Sequence, residues 1–114
     1  MTDYSGWTDE QVNEVIAVKR GWKSENFQMP SNDYRKGWYQ PYPFPYQENI
    51  IFNPPPFTHD WRLAGELLEE MKGITTFFYD ENHRWCCVMD GTYYYTYTPQ
   101  RAICEAWLVW KEQG

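Results

Sequence analysis

The sequence predicts a small α+β domain, an α/β/α sandwich in which about three helices flank an antiparallel sheet of two to four strands. Three segments carry apolar residues at helical spacing, and each begins at a threonine that can cap a helix. Between the second and third of these segments the period changes to short runs rich in β-branched and aromatic residues, which are typical of strands. The 114 residues fit one domain, 1–114, because a chain of this length buries about two thirds of its unfolded surface.

The helix ends follow from capping residues. Thr8 and Gln11 have the spacing of a capping box, and Gly21 can end that helix. The second helix is predicted to begin with Thr58 as its N-cap, and the third with Thr98 as its N-cap and Pro99 at its first position. The predicted stripes are Val12, Val15, Ile16 and Lys19; then Trp61, Ala64, Leu67, Leu68 and Met71; and then Ile103, Ala106, Trp107 and Trp110.

The strands are predicted from composition and alternation. Residues 74–79 and 84–89 read as a β-hairpin around the turn "DENH", and "TYYYTY" from residue 92 reads as a third strand. Alternation places Tyr93, Tyr95 and Tyr97 on one face and Tyr94 on the other. Residues 23–57 show no helical period and are predicted to form a long loop rich in proline and aromatic residues. Within that loop, "ENIIF" is the one apolar run that could be a short strand.

Four blocks of sequence carry a resemblance to a known family. "AVKRGW", "PPFTHDWRLAGELLEEM", "RWCCV" and "TPQRAICEAWLVWKE" occur in this order, and together they resemble the phage ABA-sandwich domain, a family of small bacteriophage and prophage proteins. The resemblance implies helices on a small antiparallel sheet, a phage source and a location in the host bacterial cytoplasm. It implies no molecular activity. The chain departs from the family pattern at Arg20, where a methionine is expected, and in its longer, more aromatic loop.

Charge and cysteine content narrow the classes of partner and compartment. The net charge of −6 argues against DNA or RNA as the main partner, because backbone binding requires neutralisation of phosphates. A small nucleotide remains compatible with it. Three cysteines do not form a disulfide framework, which favours reduced thiols. The first residues do not resemble a signal peptide, and no apolar run is long enough to span a membrane.

The sequence predicts neither an enzyme nor a bound metal or cofactor. His83, Cys86 and Cys87 are close in sequence, but adjacent strand residues point to opposite faces, and a CxxC-like spacing is absent. A nucleophile needs a base that can face it, and the two histidines are expected in a helix first turn (His59) and in a hairpin turn (His83). The sequence contains no phosphate loop or hydrolase motif. Cys104 and at least one of Cys86 and Cys87 are expected in the core.

The aromatic content is the feature that points to binding. Aromatic residues make up 20% of the chain, more than so small a core can hold, so some rings should form a surface. "RKGWYQPYPFPY", residues 35–46, could be a stiffened flap that binds a ligand or one that packs over the sheet. The candidate ligand-binding residues are Arg35, Lys36, Trp38, Tyr39, Tyr42, Phe44, Tyr46, Arg84, Tyr93 and Tyr95. Trp7 and Trp38 are the tryptophans expected at the surface, whereas Trp22, Trp61, Trp85, Trp107 and Trp110 are expected in the core.

These observations lead to two functional hypotheses. The first is a non-enzymatic phage protein that sequesters a nucleotide-derived immune signal, since aromatic faces stack on bases and arginine binds phosphate. The second is an effector that inhibits a host or phage protein through its aromatic surface. Either protein could be a homo-oligomer, and no membrane partner is expected.

Overall fold

The computed structural model describes residues 3–40, 50–71, 75–79, 84–89, 92–96 and 98–113. The α+β class is confirmed, because these residues form three helices and two small antiparallel sheets. The elements are α1 (Asp9–Lys19), β1 (Lys23–Gln28), β2 (Tyr34–Tyr39), α2 (Trp61–Glu70), β3 (Thr75–Tyr79), β4 (Trp85–Met89), β5 (Thr92–Thr96) and α3 (Pro99–Gln113). One sheet is the hairpin β1–β2, and the other has the order β3–β4–β5.

Helix α3 is the centre of the fold. It packs on β4 and β5 and also on α1 and α2. Every residue from Arg101 to Val109 is buried, although an amphipathic helix on a protein surface would bury only one stripe. The predicted stripe residues Ile103, Ala106 and Trp107 are fully buried. The burial of the remaining faces follows from the position of α3 between the sheet and the other two helices.

The predicted ends of α1 are confirmed. Thr8 Oγ1 accepts the N–H of Gln11 at 3.1 Å, and Gln11 Oε1 accepts the N–H of Thr8 at 2.9 Å, which completes the capping box. At the other end, the N–H of Trp22 donates to the carbonyl of Ala17 at 2.9 Å and that of Gly21 donates to Val18 at 3.1 Å. This pair of bonds is a Schellman motif, and it uses the positive φ of 92° at Gly21.

Helix α2 begins later than the sequence predicted. Its N-cap is Asp60, whose Oδ1 accepts the N–H groups of Arg62 at 2.8 Å and Leu63 at 3.4 Å. Thr58 instead lies buried in a turn, and its N–H donates to Asn13 Oδ1 at 3.0 Å. The turn arises because the N–H groups of His59 and Asp60 both bond to the Pro56 carbonyl.

The later start of α2 also corrects the prediction for Trp61. Ala64, Leu67 and Met71 are fully buried as predicted, but Trp61 is 52% exposed. Trp61 is the first residue of the helix. Helical side chains tilt toward the N-terminus, so its ring extends past the packed face. Of the other tryptophans expected in the core, Trp107 is buried, whereas Trp22, Trp85 and Trp110 are half-buried.

The predicted loop at 23–57 is wrong for residues 23–39, which form the β1–β2 hairpin. The register pairs Lys23 with Tyr39 and Gln28 with Tyr34. All of β1 is exposed except Phe27, which is half-buried. A strand that is exposed to solvent on both faces has no alternation of apolar and polar residues. The hydrophobic pattern of the sequence therefore did not predict β1. Within "ENIIF", the described part forms an isolated bridge between Ile51 and Trp38.

The three-stranded sheet agrees with the prediction. Its register pairs Phe77 with Cys87 and Cys87 with Tyr94, and the next row pairs Phe78 with Cys86 and Cys86 with Tyr95. Cys86, Cys87 and Cys104 are all fully buried and reduced, so the expected core cysteines are confirmed. The predictions for Tyr42, Phe44, Tyr46, the turn at 80–83 with His83, and Tyr97 fall outside the described residues. Among the described helices, none has the length and apolar character needed to cross a membrane.

Candidate functional site: a groove along β5

Strand β5 forms one edge of the three-stranded sheet and places two tyrosines on the face opposite to Tyr94. Tyr94 packs against the core, whereas Tyr93 is 54% exposed and Tyr95 is 43% exposed. The predicted alternation is therefore confirmed for these three residues. Since exposed tyrosine is both rigid and amphipathic, this row is suited to contact a ligand.

Arg84, Tyr95 and Tyr93 form a column on this face. The rings of Tyr93 and Tyr95 are nearly parallel, with centroids 6.0 Å apart and planes 9° apart. The guanidinium carbon of Arg84 lies 4.4 Å from the centroid of the Tyr95 ring. The column therefore combines aromatic faces with a cation, which were the two features expected of a nucleotide site.

Two neighbouring cavities run beside the column. One has a volume of about 430 Å³ and is lined by Arg84 and Arg101 among others. The other has a volume of about 400 Å³ and is lined by Asp3 and Tyr93 among others. Ser5, Tyr95 and Glu105 line both, so the two are parts of one depression, which we name the β5 groove. Each part is within the range of about 300–1,000 Å³ that is typical of small-molecule sites.

The wall of the β5 groove opposite the strand is the N-terminal segment 3–9, and Arg101 holds it in place. Arg101 Nη1 donates to Asp9 Oδ1 at 2.7 Å, and Nη2 donates to the carbonyls of Tyr4 at 2.7 Å and Trp7 at 2.8 Å. Its Nε donates to Glu105 Oε2 at 2.8 Å. All three nitrogens of this buried guanidinium are thus bonded to protein, so Arg101 shapes the groove and is not placed to bind a ligand.

The acidic groups of the groove differ in their environment. Burial raises the pKa of Glu105, and the hydrogen bond and charge of Arg101 offset part of that rise. Asp3 is exposed, and Asp3 Oδ1 accepts the N–H of Ser5 at 2.9 Å. Hydrogen bonds from Ser5 lower the pKa of Asp3. At neutral pH the groove therefore carries a charged, solvent-facing carboxylate in one cavity and Arg84 in the other.

The predicted site residues on β2 do not join this column. Arg35 and Lys36 are neighbours in the strand and have different partners. The guanidinium carbon of Arg35 lies 5.2 Å from the ring centroid of Phe52. Lys36 Nζ lies 4.8 Å from the ring of Trp38 and 3.7 Å from Glu14 Oε1. Because adjacent strand residues face opposite ways, the two cations lie on opposite faces of the hairpin, each beside a different aromatic ring.

One further prediction on β2 is corrected. Trp38, expected as an exposed ring, is only 2% exposed and belongs to the main core. Its backbone pairs with Ile51 through bonds of 2.6 and 2.9 Å, which fixes the strand against the following segment. Tyr39 Oη donates to Glu25 Oε1 at 3.0 Å across the hairpin. Trp7 is half-buried and meets the Tyr4 ring edge-on at 4.7 Å.

Sequence reasoning missed the residues that form the wall of the groove. Asp3, Asp9, Arg101 and Glu105 were not proposed as site residues. The signal that was available is the spacing of Arg101 and Glu105, because oppositely charged residues four positions apart on a helix can pair. Their position among apolar residues of the last helix could have suggested a buried pair.

The described residues offer little for covalent or metal chemistry. Burial raises the pKa of the Cys87 thiol to about 12 and also raises that of Cys104. A protonated thiol is a poor nucleophile. Within the described segments, no group of three or more His, Cys, Asp and Glu side chains is arranged to hold a metal ion.

Comparison with known proteins gives no assignment. No family model, no curated protein and no solved structure matches the chain. The resemblance to the phage ABA-sandwich domain therefore stays a prediction.

Proposed function

We propose that this chain is a non-enzymatic binding protein that holds a small nucleotide-type molecule in the β5 groove. The observation that carries the proposal is the column of Arg84, Tyr95 and Tyr93 beside two ligand-sized cavities. A base can stack on a tyrosine face, and a guanidinium can bind a phosphate through two hydrogen bonds. These two contacts recognise the base and the phosphate of a nucleotide. They do not distinguish ribose from deoxyribose.

The charges of the groove favour a ligand with one phosphate. Arg84 and Arg101 are the cations among the described lining residues. Arg101 is bonded through all its nitrogens to Asp9, Glu105 and backbone carbonyls. We assign the phosphate to Arg84, whose guanidinium carbon lies 4.4 Å from the centroid of the Tyr95 ring. A triphosphate would place its remaining charges near the carboxylates of the groove, which is unfavourable.

The anchoring of the wall favours tight binding of a ligand. Arg101 fixes segment 4–9 before any ligand arrives, and a preformed site loses less entropy on binding than a mobile one. The buried, protonated thiols are poor nucleophiles. We therefore assign no catalytic role to any residue.

The resemblance suggests where this binding acts. In the cytoplasm of a phage-infected bacterium, a protein of this kind would withdraw a nucleotide-derived immune signal from its receptor. This biological role is by analogy with phage proteins in general and rests on the resemblance alone.

Calorimetry with alanine variants tests the proposal. We expect binding of at least one member of a panel of nucleoside monophosphates, cyclic nucleotides and ADP-ribose derivatives. Tyr93→Ala and Tyr95→Ala should each weaken it by about 1–3 kcal/mol, or about 5- to 150-fold. Tyr34→Ala is the matched control, because Tyr34 is 68% exposed on the hairpin and outside the groove. Absence of binding across the panel would contradict the proposal.

The second candidate function is inhibition of a host or phage protein, and the β1–β2 hairpin favours it. The hairpin is exposed along β1 and at Tyr34, Arg35 and Lys36, and aromatic and arginine side chains are common anchors of protein interfaces. For this function Tyr34→Ala is the test variant and Tyr93→Ala is the control. Tyr34→Ala should abolish a stoichiometric protein complex that Tyr93→Ala leaves intact, as measured by size-exclusion chromatography with light scattering.

A further inference from the structure

The charged groups of the β5 groove are distributed unevenly along the tyrosine column. Arg84 lines the cavity beside Tyr95, and Asp3 lines the cavity beside Tyr93. Glu105 lines both but is bonded to Arg101 Nε at 2.8 Å. Asp9 also lines the cavity of Arg84, and its Oδ1 accepts a hydrogen bond from Arg101 Nη1 at 2.7 Å. A ligand that lies along the column therefore meets Arg84 at one end and Asp3 at the other.

The carboxylate of Asp3 is oriented by its own turn. Its Oδ1 accepts the N–H of Ser5 at 2.9 Å, and this bond restrains the side chain where it lines the cavity. A carboxylate has lone pairs for about four hydrogen bonds in all, so the bond to Ser5 leaves most of its capacity for a ligand. Its strongest partners are two parallel N–H donors, which it can accept side by side.

Among the common bases, guanine presents such a pair of donors. Its N1–H and exocyclic N2–H₂ lie next to each other on one edge, matching the two oxygens of a carboxylate. Adenine and cytosine place a ring-nitrogen acceptor beside their amino group, and that acceptor would face a carboxylate oxygen. Uracil offers a single N–H between two carbonyls, which would also oppose the carboxylate.

Building on the nucleotide-binding function proposed above, we propose that the β5 groove selects guanine nucleotides. The base stacks on Tyr93 with its N1–H and N2–H₂ edge on the Asp3 carboxylate, and a single phosphate binds Arg84. Asp3 is then the residue that determines base specificity, and the tyrosines supply affinity that does not depend on the base.

The test compares GMP, IMP, AMP and UMP by calorimetry on the full chain. IMP is the sharpest probe because it differs from GMP only in lacking the 2-amino group. We expect GMP to bind about 10- to 150-fold more tightly than IMP, which corresponds to one hydrogen bond to a charged group. Asp3→Asn should bring the GMP and IMP affinities close together, because an amide offers one acceptor and a mismatched donor.

The matched control is Asp33→Asn, which makes the same change at an exposed aspartate of the hairpin turn. This variant should keep the GMP preference. Equal binding of all four monophosphates, weakened by Tyr93→Ala, would overturn guanine selection and leave the nucleotide-binding function standing. A GMP preference that survives in Asp3→Asn would overturn the role of Asp3. If none of the four binds and the wider panel also fails, the proposed function itself falls.

Discussion

Arg101 Nη1 and Asp9 Oδ1 meet at 2.7 Å, joining the first turn of α3 to the first turn of α1 across 92 positions of sequence. The same guanidinium bonds to Glu105 and to the carbonyls of Tyr4 and Trp7. One side chain therefore connects two helices and the N-terminal segment, and it forms the back of the β5 groove.

Removal of the Arg101 guanidinium should lower the free energy of unfolding substantially. Arg101→Met leaves Glu105 buried without its cation, and breaking a buried ion pair costs about 3–5 kcal/mol. Urea unfolding measures the loss. Arg62→Met at an exposed position of α2 should change the free energy of unfolding by less than about 0.5 kcal/mol. A loss for Arg101→Met as small as that of the control would show that the guanidinium does not anchor the fold.

The buried carboxyl of Glu105 should give stability a specific pH dependence. Its pKa is raised above the ordinary 4.5 by burial, so the folded state holds this proton more tightly than the unfolded state. Above pH 4.5, and up to the folded pKa, the contribution of Glu105 to the free energy of unfolding therefore falls as pH rises. Glu105→Gln removes this contribution, and urea titrations from pH 4 to 7 compare the two proteins. If the free energy of unfolding of the wild type increased relative to that of Glu105→Gln as the pH rises, the effect of Arg101 on the pKa of Glu105 would outweigh that of burial.

Two glycines should respond to alanine in opposite ways. At Gly37 in β2, an added Cβ would lie 2.6 Å from Phe27 Cδ2 and 2.9 Å from Ile50 Cγ2. Overpacking of this kind costs about 1–3 kcal/mol. At Gly65 inside α2, an added Cβ meets nothing within 4 Å, so Gly65→Ala should stabilise by about 0.5–1 kcal/mol. Thermal unfolding of both variants measures the contrast, and stabilisation by Gly37→Ala would contradict the observed packing.

The cysteines should be inert in the folded protein. Cys86, Cys87 and Cys104 are fully buried, and burial raises the pKa of Cys87 to about 12. A chromogenic disulfide reagent at pH 8 should therefore react with the folded protein only as fast as the chain opens. In denaturant the same reagent should react with all three thiols. Immediate reaction of one thiol per folded chain would place a cysteine at the surface.

Local chemistry made part of this structure predictable. The capping box at Thr8, the cap at Gly21 and the alternation of Tyr93 to Tyr95 each depend on residues a few positions apart. The exposed hairpin was missed because its strands lack an apolar face, and Asp60 replaced Thr58 as a cap because the turn after Pro56 postpones the helix. The burial of Trp38 depends on tertiary packing that no local pattern encodes.

The candidate site was likewise predictable from the sequence only in part. The tyrosine faces and Arg84 could be named from sequence, because strand alternation and residue type suffice for them. The wall could not, since Asp9 and Arg101 are 92 positions apart and a contact between them depends on how the helices pack. Asp3 belongs to the site only because that contact places the N-terminal segment beside β5.

The long sequence separation between Asp9 and Arg101 also bears on synthesis of the protein by the ribosome. The segment that contains Asp3 emerges from the exit tunnel before β5, and the helix that secures it, α3, emerges after β5. A nascent chain interrupted before α3 would expose its tyrosines but have no wall beside them. The capacity to bind a ligand should therefore appear only after α3 has emerged and folded, so nascent chains without α3 would not compete for the molecule that the folded domain holds.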